Sequence, residues 1–250
     1  MPLGYWCPVL HAHLPYVRHP EYPEFLEEDW FFEALTETYV PLVMVLDRLL
    51  ADGVDYRLTM TLSPPLLSMM GDGLLIERYH RNLDRLVALA EREIERTRTQ
   101  APDFHEVARF YAGHLTGIRS CFRDAYGSNL IRAFIKHRDA GKLEIITCGA
   151  THGFLPLMDS VPQAVRAQIE IAVAHYRKTL GRSPRGIWLP ECGYKPGVDR
   201  ILNEFGIEYF ILDSHGLLNA DPRPKYGVHR PIRTPGGPGG RGDHRKFPWR

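Results

Sequence analysis

Residues 143–156 read LEIITCGATHGFLP. The first five residues, 143–147, have the apolar, β-branched make-up of a buried strand, and the run then breaks at Cys148 into Gly149, His152, Gly153 and Pro156. The same change of character recurs along the chain. Residues 3–10 read as a buried strand that stops at His11-Ala-His-Leu-Pro15, and 56–62 as one that stops at Ser63-Pro64-Pro65. Residues 186–189 lead into Pro190-Glu-Cys-Gly-Tyr194, and 209–212 into Asp213-Ser-His-Gly216. Five short strands, each ending in a polar or Pro/Gly-rich cluster, set the frame.

Between these runs lie longer stretches with helical spacing. In 29–50, Phe32, Leu35, Tyr39, Leu42, Val43 and Leu46 share one face, and Pro41 predicts a kink. In 74–98 the apolar stripe is Leu83, Leu86, Val87, Ala90 and Ile94, with a mixed-charge, solvated end at 91–98. Further helices fit 103–125, 129–140 before Gly141, 161–180 before Gly181, and 196–205. Strand alternating with helix predicts an α/β fold with a largely parallel sheet. The loops that follow the strands then lie at one end, where α/β barrels and open sheets carry their chemistry.

The chain has 250 residues, 44% of them hydrophobic and 24% charged, with a mean hydropathy of −0.27. Those values exclude a disordered, collagenous or coiled-coil chain. No uncharged apolar run is long enough to span a bilayer, and Met1-Pro-Leu-Gly-Tyr-Trp-Cys7 lacks the basic start of a secretory signal. Four widely spaced cysteines with no C-x-x-C predict reduced thiols in a cytoplasm. The net charge of +1 is uneven: residues 222–250 hold eight Lys/Arg and one acid, which leaves −6 for residues 1–221. No phosphate-binding glycine loop follows a strand. The basic tail also lacks the interleaved aromatics of a single-strand nucleic-acid binder.

Glu191 is the sharpest chemical candidate. It follows a strand directly, so its carboxylate projects toward the strand-end cleft as a nucleophile or an acid/base; it could equally cap the next helix or pair with an arginine. Trp188 and Tyr194 offer flat faces nearby, suited to stacking on sugar rings or to packing. His11 and His13 form an H-x-H whose alternate side chains share one face. Such a pair serves either as metal ligands or as neutral partners for hydroxyls. His152 belongs with them, and Gly149 and Gly153 let the backbone turn tightly around it. Asp213 and His215 repeat the spacing after the last strand, where Asp213 could pair with Glu191, orient a histidine or start a turn. The helical histidines His80, His105, His114, His137 and His175 read as surface or packing residues. Cys7, Cys148 and Cys192, on or beside strand ends, read as small buried filler.

His11-Ala-His-Leu-Pro-Tyr16, Gly149-Ala-Thr-His-Gly-Phe-Leu-Pro156 and Trp188-Leu-Pro-Glu-Cys-Gly-Tyr194 resemble, in order and spacing, the first three sequence regions of glycoside hydrolase family 57. Within that family the wording is nearest to the 1,4-α-glucan branching enzymes. The resemblance implies an incomplete (β/α)7 barrel with helical insertions over residues 1–235, and a retaining mechanism on α-1,4-glucans without cofactor or metal. Glu191 matches the family's nucleophile. His11, His13 and His152 match positions lining the sugar cleft, with Trp188, Tyr194, Asp213 and His215 counted as further substrate-binding residues.

A retaining mechanism needs a second carboxyl, which the resemblance places in a fourth region downstream of the third. Residues 236–250 are a low-complexity Gly/Pro/Arg tail where Asp243 has no strand before it, so the barrel is expected to be truncated at its C-terminal side and inactive by itself. Two other readings stay open: a metal-dependent hydrolase or deacetylase using His11, His13 and His152, and a non-catalytic fragment. Membrane and nucleic-acid partners are not expected.

Overall fold

The computed structural model describes residues 4–234 and 236. In chain order the elements are β1 (Val9–Ala12), α1 (Glu28–Glu33), α2 (Val40–Ala51), β2 (Leu58–Leu62), α3 (Pro64–Met70), α4 (Gly73–Gln100), α5 (His105–Ser120), α6 (Leu130–Asp139), β3 (Leu143–Cys148), α7 (Pro162–Leu180), β4 (Gly186–Trp188), α8 (Val198–Glu204), β5 (Tyr209–Ile211) and α9 (Ser214–Leu218). The described residues form two compact units, one of residues 4–7, 14–58 and 66–144, the other of residues 8–13, 59–65 and the described residues from 145 on. Among the described residues, no helix is long and apolar enough to cross a membrane.

The first unit is helical. Its long helix α4 starts at Asp72, whose carboxylate accepts from the backbone N–H groups of Leu74 and Leu75. Leu75, Tyr79, Leu83 and Val87 form its buried stripe. The bend expected at Pro41 is taken up by a π-turn at Ala34–Tyr39 between α1 and α2. Proline donates no hydrogen bond to the preceding turn, and widening that turn accommodates the missing bond. Thr36, inside the π-turn, hydrogen-bonds Tyr79 of α4 at 3.1 Å. Arg78 and Glu28 are both buried and paired, which removes two charges from water only because each neutralises the other.

The second unit carries nearly all of the sheet, in the order β1-β2-β3-β4-β5. The β1–β2, β3–β4 and β4–β5 pairings are parallel. Strand order follows chain order without reversal, so the sheet has no switch point and winds one way, as the arc of a barrel does. Behind it, Leu155, Val165, Ile169, Val173, Ile187, Leu189 and Leu202 form the core with α7 and α8. α7 ends where expected, at Gly181, whose φ of +71° closes the helix in the left-handed region.

Three expectations change. β1 begins at Val9 rather than at residue 3, because Pro8 has no N–H to give a ladder; its carbonyl instead accepts from Thr59. His11 therefore sits on the strand itself. Pro64-Pro65 does not end in a loop but opens α3, since proline's fixed φ and missing N–H suit a first helical turn. Cys7 is exposed and off the sheet and Cys192 half-buried, so only Cys148 fills the core as expected. Asp243 and the Gly/Pro/Arg tail beyond 236 lie outside the described residues.

Candidate active site

The site is built at the carboxyl ends of the strands in the second unit. β1 and β2 run in register with His11 opposite Thr61, and the chain then carries His13 and Ser63 one step past the ladder. Cys148 closes β3 opposite Trp188, the last residue of β4. His152 and Glu191 come from the loops that follow β3 and β4.

These residues converge. The ring of His152 lies 3.7 Å from that of His13 and 5.3 Å from that of His11, and the two H-x-H rings are 6.1 Å apart. Trp188 stacks on His11 at 4.6 Å. His13 Nδ1 shares a 2.9 Å hydrogen bond with Ser63 Oγ, and His152 Nδ1 lies 3.3 Å from Cys148 Sγ. The opposite face of the His152 ring turns to the carboxylate: Nε2 is 3.7 Å from Glu191 Oε1. Glu191 is 77% exposed and His152 only 10%, so the carboxylate stands at the open mouth with a buried imidazole behind it.

Backbone geometry explains how the loops reach this arrangement. His152, Glu191 and Cys192 all adopt positive φ (57°, 53° and 52°), a conformation that side-chain-bearing residues enter at a cost of about 1 kcal/mol or more each. The strain falls on His152, Glu191 and Cys192, not on the glycines expected to turn the chain. Gly149 and Gly153 serve by leaving room instead. A Cβ on Gly149 would stand 3.0 Å from Pro190 Cγ, and one on Gly153 would overlap Met158. Gln168 of α7 holds the loop from behind: its side-chain oxygen accepts from Thr151 N–H at 2.9 Å.

The electrostatics favour neutral histidines. Burial, followed by the neighbouring imidazoles, pushes His11 and His13 down to about 4. Burial also lowers His152, while the Glu191 carboxylate pulls it the other way. The Cys148 thiol is raised to about 12, chiefly by burial, so it stays protonated. A protonated thiol donates to His152 Nδ1, and the proton of the neutral ring then sits on Nε2, facing Glu191. The arrangement offers a carboxylate nucleophile or base, an imidazole donor at its side, and neutral rings plus an indole suited to hydroxyl-bearing ligands.

The other expected residues make contacts of their own. Tyr194 stacks on Phe210 at 5.3 Å and packs against the core. Asp213 precedes the short helix α9 and pairs with its own neighbour, His215, at 3.2 Å; both are exposed. His80, His105, His114, His137 and His175 all lie on helices, with His137 fully buried beside Asp47. Ser63 was not singled out in the sequence, although its place straight after a strand carries the same signal as His13. A grouping of three possible metal donors contains His11, Cys148 and His152, with His13 outside it.

Residues 9–237 match the model of glycosyl hydrolase family 57. The chain belongs to that family. Its five-stranded arc is accordingly part of an incomplete (β/α) barrel. In a structural comparison it superposes on an α-amylase from Thermotoga maritima with a TM-score of 0.89 and 49% identity, over 94% of this chain and 44% of that one. A family 57 branching enzyme from Pyrococcus horikoshii gives a TM-score of 0.81 and 34% identity, over 88% and 44% of the two chains. In sequence, the 1,4-α-glucan branching enzyme of Thermococcus kodakarensis is 34% identical over 235 residues, 88% of this chain and 34% of the relative. The chain thus spans about a third to under half the length of these family members.

Proposed function

We propose that this chain contributes the nucleophile side of a retaining α-1,4-glucan-acting site of the branching-enzyme type, with Glu191 as nucleophile. The observation that carries this reading is the exposed Glu191 carboxylate, set on a strained strand-end turn with the His152 donor 3.7 Å behind it. In the first step a Glu191 oxygen bonds to the anomeric carbon as the glycosidic C–O bond breaks, giving a glycosyl-enzyme. In the second, the hydroxyl of another glucan chain, or water, displaces Glu191. His152 acts as a positioning residue that orients the carboxylate. His11, His13 and Trp188 bind the sugar beside it, with hydroxyls accepted by neutral imidazoles and a ring face laid along the indole.

Retention requires a second carboxyl roughly 5 Å from the first to act as acid and then base. Asp213 is engaged with His215, and we assign this role to no residue of residues 4–234. The 250-residue chain is therefore expected not to branch amylose unaided. We place the protein in the cytoplasm, on four cysteines that are free in the fold.

Incubation with amylose, following both reducing ends and iodine staining, tests this reading. Loss of iodine colour without new reducing ends would signal branching by this chain and show that the acid/base lies within it, with Asp213 the first residue to replace. New reducing ends alone would signal hydrolysis, the activity named for the Thermotoga relative.

A further inference from the structure

Three soft or borderline ligand atoms meet at the ends of β1 and β3. One ring nitrogen of His11, one of His152 and the sulfur of Cys148 lie within 4.8 Å of one another. We propose that this trio is a binding site for a borderline-soft divalent ion of the zinc class. The proposal does not depend on which glucan reaction the protein performs.

Geometry and donor chemistry point the same way. Zinc bonds of about 2.3 Å to sulfur and about 2.0–2.1 Å to nitrogen place tetrahedral ligands roughly 3.5 Å apart. Cys148 Sγ and His152 Nδ1 already stand 3.3 Å apart. His11, with a ring nitrogen already within 4.8 Å of both, completes three ligands and leaves a fourth position open to water. Hard cations such as calcium and magnesium prefer oxygen donors, which the trio lacks.

An outer partner is also present. With Nδ1 on the ion, His152 turns Nε2–H to Glu191 Oε1, 3.7 Å away, in the carboxylate–histidine–metal order that steadies metal-bound imidazoles. His13, whose Nδ1 is engaged by Ser63, lies outside the trio. On binding, the Cys148 S–H bond breaks, its proton passes to solvent and a sulfur–metal bond forms, with no change of oxidation state.

The test uses the reduced, chelator-treated 250-residue chain, titrated with Zn²⁺ in a calorimeter and with Co²⁺ in a spectrophotometer. Expected are one Zn²⁺ per chain and a thiolate-to-cobalt charge-transfer band. Both should be weakened at least about tenfold in Cys148→Ser and in His11→Ala, and unchanged in Cys192→Ser. His11→Ala leaves the buried Cys148 in place, so its result stands even if Cys148→Ser disturbs the fold. Absence of the cobalt band, its persistence in Cys148→Ser, or its loss only in Cys192→Ser would overturn the proposal.

Discussion

His152 Nε2 lies 3.7 Å from Glu191 Oε1 while His152 Nδ1 rests 3.3 Å from Cys148 Sγ, so one buried ring links the sheet to the exposed carboxylate. This contact is long for a hydrogen bond and is expected to tighten when substrate excludes water. A donor to a charged acceptor is worth about 1.5–3 kcal/mol. Replacing His152 with Asn, which tolerates the left-handed backbone there, should therefore slow covalent labelling of Glu191 roughly ten- to hundredfold. Pre-steady-state mass spectrometry of the labelled protein measures that rate. An unchanged rate would show that His152 only fills space.

The depressed histidines make stability depend on pH in a defined window. Above about 6.5, the ordinary histidine value, the rings are neutral in folded and unfolded chains alike, and the contribution is fully present. Between about 6.5 and 4 the unfolded rings take up protons while His11 and His13 in the fold do not, so stability is lost as pH falls. Thermal melts from pH 7.5 to 4.5 should show a falling Tm, with a shallower fall in the His11→Gln/His13→Gln variant. Equal slopes would contradict neutral, crowded rings.

Packing around β4 is tight enough to test separately. A Cβ on Gly186 would fall 2.4 Å from Tyr209 Cζ and 2.8 Å from Ile146 Cγ2, both fixed by the sheet. Gly186→Ala should destabilise the protein by about 1–3 kcal/mol. Gly153→Ala should cost less, because its overlap is with the free end of the Met158 side chain. Urea denaturation of the two variants gives the comparison, and the reverse order would refute it.

What could be read from the sequence divides along physical lines. Strand-and-loop boundaries at Cys148, Leu189 and Leu212 were legible because β-branched runs give way to Gly, Pro and polar residues within one or two positions. The H-x-H pair was legible because alternation places His11 and His13 on one face whatever the rest of the chain does. The pairing of His13 with Ser63, fifty positions away, was not, since it depends on register between β1 and β2. Nor was the left-handed backbone at His152 and Glu191, because glutamate rarely enters that region and the glycines beside His152 draw attention from it. Cys148 looked like filler by composition; the 3.3 Å approach of His152 shows a polar partner at its sulfur. The start of α3 was hidden because a proline pair signals a break and a helix start with the same letters.

The role of Glu191 can be measured without the second carboxyl. An α-glycosyl fluoride expels fluoride without help from an acid, and a second ring fluorine slows release of the covalent intermediate, so labelling reports the nucleophile alone. After incubation of the chain with such a reagent, peptide mass spectrometry should find one glycosyl adduct per chain on Glu191, and none in Glu191→Gln. An adduct on Asp213 or any other residue, or no adduct on the intact chain, would contradict the assignment of Glu191 as nucleophile.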